Sequence, residues 1–235
     1  MSKVLEKIIS IRKPKSPISE SYRGIRTSIE FSNLDKEMKV INVTSSMQGE
    51  GKSTVIANLA VNFANLEKKV LLLEGDLRNP SVHRMFNISN INGLTDILLN
   101  NKNFAECVHC TEVKNLHILT CGAVPPNPSE ILSSKKMKDF INELREYYDY
   151  IFIDCPPSLG MLTINSWTAV DSVLIPIQCE YYALEGVSQL MGTIKLVKSR
   201  LNPNLDIQGV VLSMFDGRAN LSIQVVDEVK RYFKG

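Results

Sequence analysis

The sequence predicts an α/β fold, a single domain with a mostly parallel central sheet flanked by helices. Three observations lead there. Short apolar runs of strand length recur along the 235 residues, helical periodicities fall between them, and no linker or low-complexity tract divides the chain.

The elements follow in order. Residues 1–18 are basic and carry Pro14 and Pro17, which predicts an extended arm. The pattern turns helical from Ser19, a plausible N-cap, to about Leu34, with Ile25, Ile29 and Phe31 as an apolar stripe. Strands are predicted at Val40–Thr44, Val70–Leu73, Leu116–Leu119, Tyr150–Ile153, Ser172–Ile177 and Ile207–Leu212. Their near-continuous apolar character suits strands buried on both faces. Helical patterns fall at about 53–66, 135–148, 184–200 and 221–233. The organisation read from this is an arm over 1–18 and one domain over 19–235.

Composition narrows the function classes. Hydrophobic residues make up 44% and charged residues 22%, as in an ordinary soluble domain. A net charge of +2 gives no global basic field for nucleic acid, although a local patch is left open. No run approaches the length of a membrane-spanning helix, and the start Met1-Ser2-Lys3-Val4-Leu5 has no signal-peptide core. The five cysteines are odd in number and scattered, as expected of reduced thiols. The expected location is cytoplasmic, with any placement at the inner face of the membrane coming through a partner.

The chemistry begins after the first strand, in Ser45-Ser46-Met47-Gln48-Gly49-Glu50-Gly51-Lys52-Ser53-Thr54, which runs straight into a helical pattern. The strict phosphate-loop spacing fails at its first position, where Ser46 replaces glycine, but the core from Gly49 to Thr54 is intact. Gly49 and Gly51 let the backbone curl so that N–H groups of the Gly49–Thr54 stretch, Glu50 included, face phosphate oxygens. The helix starting near Lys52 adds its N-terminal dipole. Lys52 is expected to reach the β- and γ-phosphates of ATP and Ser53 to ligate Mg²⁺. The bland alternative is a glycine-rich turn that happens to carry a lysine; strand, loop and helix in the required order argue against it.

Two predicted strands end in acid, at Glu74-Gly75-Asp76 and at Asp154. In an open parallel sheet such positions lie beside the phosphate loop. Asp154 is expected to hold Mg²⁺ directly or through water. Asp76 is expected to orient the attacking hydroxyl or water and to stand near the metal. Glu74 and Asp76, two apart, face one side if the strand continues. Taken singly, an acid after a strand is more often a helix cap or a solvated turn; beside the loop, the functional reading is the stronger.

These residues carry a resemblance. The loop, with Leu73-Glu74-Gly75-Asp76-Leu77-Arg78-Asn79-Pro80, resembles the bacterial tyrosine kinases of capsule and exopolysaccharide synthesis (the CpsD/CapB type). Glu20, Arg23 and Arg26 match that family's E-x-x-R-x-x-R motif, which implies assembly of like subunits into rings, and Gly122–Glu130 is similar to a further family segment. The likeness spans about 18–157. From Asp154-Cys155-Pro156-Pro157 through Gln178–Gly186 to Phe215-Asp216 and Asn220-Leu221, the chain resembles the ParA/Soj partitioning ATPases instead. It departs from both patterns. Met47 stands where the partitioning pattern has a lysine, Glu74 replaces the kinase motif's first aspartate, and Tyr232 is the sole tyrosine after Tyr182.

The kinase resemblance implies a protein-tyrosine kinase, autokinase or trans kinase, using ATP and Mg²⁺ and regulating capsular or exopolysaccharide synthesis. Its implied partners are a membrane-anchored activator, a tyrosine-containing protein substrate and further copies of itself through Glu20, Arg23 and Arg26. The alternative is a partitioning-type ATPase that hydrolyses ATP as a DNA-binding switch. A third, blander reading is a scaffold that binds ATP without efficient turnover because the two halves do not communicate.

Other features carry less. Cys107-Val108-His109-Cys110 with Cys121 has zinc-like spacing but lacks a second C-x-x-C pair. Glu20, Arg23 and Arg26 also read as a solvated charge network on one helix face. Tyr181 and Tyr182 suit packing at a helix start better than a role as phosphate acceptors, and His83 reads as a packed or surface histidine.

Overall fold

The computed structural model describes residues 8–33, 36–156, 161–180 and 183–233. Strands β1 (Val40–Val43), β2 (Val70–Glu74), β3 (Val108–Cys110), β4 (Leu116–Leu119), β5 (Tyr150–Asp154), β6 (Ser172–Gln178) and β7 (Asp206–Ser213) form one sheet in the order β3-β4-β2-β5-β1-β6-β7. Every pairing is parallel except that of β3 with β4. The expected α/β architecture with a mostly parallel sheet is therefore what the chain adopts. All six predicted strands are present; the short edge strand β3 was not predicted.

The helices are α1 (Ile9–Arg12), α2 (Pro17–Ser32), α3 (Lys52–Ala64), α4 (Val82–Phe86), α5 (Leu94–Asn100), α6 (Phe104–Cys107), α7 (Pro128–Leu132), α8 (Lys135–Leu144), α9 (Met161–Ser166), α10 (Ala183–Arg200) and α11 (Asn220–Tyr232). Strand alternation sends side chains to two cores. Leu71, Leu73, Ile151 and Ile153 face one side, packed with residues of α5, α8, α10 and α11. Val70, Leu72, Ile41 and Phe152 face the other, against α3 and with Ile8 and Ile29. Helix α3 is buried nearly all round, enclosed between the sheet and its neighbours, with Asn58 and Asn62 satisfied by hydrogen bonds.

The first residues depart from expectation. Over its described part, the segment expected to be extended holds the helical turn α1. Ile8 is fully buried, the Ser10 amide donates to Asn58 Oδ1 at 2.9 Å, and Asn62 donates to the Ser10 hydroxyl at 2.8 Å. Helix α2 begins at Pro17, not after Ser19. Ser16 is its N-cap, accepting from the Ser19 amide at 3.2 Å, and proline suits the first helical position because its missing N–H has no partner there. Tyr181, Tyr182 and Pro157–Gly160, singled out in the sequence, lie outside the described residues.

The chain therefore does not divide where its two resemblances meet, near residue 154. Strand β1 pairs with β5 on one side and β6 on the other, so one sheet runs through both stretches.

Candidate active site

The loop between β1 and α3 is shaped by two glycines and braced by one acid. Gly49 and Gly51 sit at φ 91° and 87°, in the region that side chains with a Cβ disfavour. Glu50 is buried at 3% exposure. Its Oε2 accepts from the Met47 amide at 2.7 Å and the Ser46 hydroxyl at 3.1 Å, and its Oε1 accepts from the Gln178 amide at 3.4 Å. The Ser213 hydroxyl donates to the Glu50 carbonyl at 2.9 Å. The Glu50 side chain thus ties the loop to itself and to the end of β6, and its carbonyl ties the loop to the end of β7, leaving the backbone N–H at that position to face a phosphate.

Gly186, in the first turn of α10, lies against the loop. A Cβ there would stand 2.6 Å from the Ser46 Cβ and Oγ. Ser46 is where the strict pattern has glycine; the missing side chain on α10 makes the room that the loop itself does not.

Lys52, at the start of α3, is only 8% exposed. Burial lowers its pKa, and the carboxylates of Asp154, Glu50 and Asp76 work against that shift. Ser53 hydrogen-bonds Asp154 through its side chain and accepts or shares a bond with the Ser81 hydroxyl at 3.2 Å. Thr54, next in α3, is partly exposed.

Strand β2 delivers Glu74 and β5 delivers Asp154 as direct register partners. Both are buried, at 0% and 2% exposure. Glu74 Oε2 accepts from the Ser81 and Val82 amides, each at 2.7 Å, and these close the turn that follows β2. Burial raises the pKa of Glu74 well above the usual range, and Asp154 beside it adds to the rise. Burial likewise raises Asp154, opposed by the Ser53 hydrogen bond and by Lys52. Asp76 is half-exposed; its Oδ1 accepts from the Arg78 and Asn79 amides at 3.2 and 2.9 Å.

Lys52, Ser53, Asp76 and Asp154 are thus brought to one place at the C-terminal ends of β1, β2 and β5, joined by Glu74. Sequence reasoning did not find the Glu74 amide cradle, Gly186 or Ser213. The last two lie more than a hundred residues from the loop, and no local pattern announces them. Among the described residues no group of three or more His, Cys, Asp or Glu is clustered as a metal site. Cys107 and Cys121 are buried in a core, while Cys110 is exposed on β3.

The other predicted motif is divided by its surroundings. Arg23 is partly exposed, paired with Glu20, and donates to the Pro14 carbonyl at 2.8 Å. Arg26 turns inward with its side chain 15% exposed, 3.4 Å from Glu30 and 3.5 Å from the Asn62 carbonyl on α3.

Comparison with known proteins adds four relations. A family model described as an AAA domain matches residues 38–207. The chromosome partitioning protein ParA of Myxococcus xanthus is 43% identical over 203 residues, covering 83% of this chain and 72% of that protein. The tyrosine-protein kinase YwqD of Bacillus subtilis is 47% identical over 160 residues, covering 68% of each. Among solved structures, the kinase domain of Escherichia coli tyrosine kinase ETK superimposes with a TM-score of 0.82 at 26% identity, covering 94% of this chain and 89% of that one.

Proposed function

The chain belongs to the AAA-domain family of P-loop proteins, with both a tyrosine-protein kinase and a chromosome partitioning protein among its relatives, and from that premise we propose that it is an ATP-dependent protein-tyrosine kinase acting in capsular or exopolysaccharide synthesis. The P-loop domain and the kinase relatives support a kinase or ATPase. The observation that carries the finer reading is Met47. It stands, 49% exposed, at the outer end of the phosphate loop where the partitioning pattern has a lysine.

In this reading the loop amides and Lys52 hold the β- and γ-phosphates. The donors around them fit Mg²⁺, which prefers hard oxygens and takes one or two carboxylates along with phosphates. Ser53 offers a hydroxyl, and Asp154 Oδ1 is buried without a hydrogen-bond partner among the described residues. Ser53 and Asp154 would hold the ion, with Asp76 beside them; bound there, it neutralises phosphate charge as the γ-phosphoryl group moves. Asp76 accepts the phenolic proton as the tyrosine oxygen bonds to phosphorus and the bond to ADP breaks. Its half-exposed position leaves room for an incoming side chain.

No helix of the described residues is long and apolar enough to cross a membrane. By likeness to the kinase relatives, the activator is taken to be a membrane-anchored partner and the acceptor a tyrosine on a protein substrate. Contact between copies would run through Glu20 and the exposed part of Arg23, with Arg26 holding α2 on α3. The partitioning-type switch on DNA remains the second reading, favoured by the 43% identity that extends over 83% of the chain.

The deciding experiment is incubation with γ-labelled ATP and Mg²⁺, with and without a tyrosine-rich peptide, followed by phosphosite mapping. Label on tyrosine supports the kinase. Steady release of free phosphate with no labelled tyrosine overturns it in favour of the ATPase.

A further inference from the structure

A second cavity, of about 610 Å³, opens at the other end of the sheet. Lys69 and Asn115 line it just before β2 and β4, and His117 lines it from within β4. It therefore sits at the N-terminal ends of the strands, whereas the phosphate loop, Glu74 and Asp154 sit at the C-terminal ends. Its volume falls in the range of small-molecule sites, roughly 300–1,000 Å³.

The walls are aromatic. Phe104 lies 6.0 Å from Phe140 and 6.3 Å from Tyr148 between ring centroids, and His117 meets Tyr148 edge-on at 5.6 Å. Phe140 and Tyr148 are buried, and Tyr147 stands 70% exposed at the opening. Tilted and edge-on rings of this kind receive another aromatic ring favourably. The His117 Nδ1 and the Tyr148 hydroxyl bond each other at 2.7 Å, which satisfies the wall's own polarity. Burial pushes Tyr148 up to about 12 and His117 below its ordinary value, so both are neutral near pH 7. The charged residues lining the cavity are Lys69 and Glu143, both exposed, one of each sign.

A ligand with a single charge would meet attraction from one of these residues and repulsion from the other. A ligand that joins an aromatic ring to both an ammonium and a carboxylate finds a partner for each group. We propose that this cavity binds a small aromatic zwitterion of the free aromatic amino-acid class, independently of the nucleotide site.

The test is ligand-detected NMR and calorimetry on the full chain with L-phenylalanine and L-tryptophan. Benzoate and phenethylamine, each lacking one of the two charges, serve as comparison ligands. The expected result is one site with a dissociation constant on the order of 0.1–1 mM. The two singly charged ligands should bind about fivefold more weakly. Ala105→Trp, which fills the mouth from α6, should weaken binding at least about tenfold. Glu143→Lys, a surface change that spares the fold, should weaken L-phenylalanine and strengthen benzoate. No binding, binding unchanged by both variants, or benzoate binding as tightly as L-phenylalanine would each overturn the proposal.

Discussion

Glu74 and Asp154 stand side by side as register partners on β2 and β5, and each keeps one buried carboxylate oxygen without a hydrogen-bond partner among the described residues. Two adjacent acids enclosed in this way resist ionising together. Each folded pKa lies above its unfolded value, Asp154 rising from 3.8 to about 6 and Glu74 rising well above 4.5. Within such a window the folded chain keeps protons that the unfolded chain has released. Stability is therefore lost as pH rises through the window and stays lost above it.

Glu74→Gln should accordingly stabilise the nucleotide-free protein at pH 8. The amide oxygen still accepts from Ser81 and Val82, and no charge has to be buried. The expected gain is about 1–2 kcal/mol, or a melting temperature higher by roughly 2–6 °C. At pH 5 the gain should shrink. Thermal melts of both proteins in EDTA at the two pH values decide it, and a variant less stable than wild type at pH 8 means these acids carry no strain.

The contact between Gly186 and Ser46 predicts a rescue. Gly186→Ala puts a methyl 2.6 Å from the Ser46 Cβ, so helix or loop must shift. Since Ser46 is held by Glu50, the loop geometry suffers and ATP affinity should fall by about tenfold or more. Ser46→Gly in the same chain removes the atoms in conflict and should restore most of the affinity. If the double variant binds no better than Gly186→Ala alone, the defect does not pass through this contact.

The fold was legible because its strands are buried on both faces, and β1, β2, β4, β5, β6 and β7 all read as apolar runs. Strand β3 was missed because three residues at a sheet edge, one of them exposed, carry no run to read. The short helices α4, α5, α6, α7 and α9 span too few turns to show a period. At the candidate site, Lys52, Ser53, Asp76 and Asp154 could be named from local order alone. Glu50 was read as a phosphate-loop residue, and its side chain in fact braces the loop across to β6, a contact 128 residues away in sequence. The course of residues 8–16 was misread because prolines and lysines suggest an extended arm, while the buried partners of Ile8 and Ser10 are on α3.

Arg23 and Arg26, neighbours three residues apart on α2, should behave differently. Arg26 packs its stem against α3, so Arg26→Ala should cost the monomer about 1–2 kcal/mol through lost packing. Arg23 pairs at the surface, and Arg23→Ala should cost at most about 1 kcal/mol while lowering the assembly size seen by light scattering. Equal losses of stability would contradict the inward placement of Arg26. An unchanged mass for Arg23→Ala would leave Glu20 and Arg23 as a solvated pair.

Lys52 and Asp76 should separate binding from chemistry. Lys52 is buried among Asp154, Glu50 and Asp76, so its cation is the main local offset to a crowd of negative charge that grows when a triphosphate arrives. Lys52→Met should therefore abolish tight ATP binding, with calorimetry in Mg²⁺ as the measure, and an unchanged affinity would sink the phosphate-loop assignment. Asp76 is held by two backbone amides in a half-exposed turn, where it can meet an acceptor without supporting the loop. Asp76→Asn keeps the shape and the turn's hydrogen bonds but removes the proton acceptor. ATP affinity should stay within a few-fold while turnover falls by roughly 10²-fold or more. If single-turnover transfer stays within about twofold of wild type, Asp76 takes no proton.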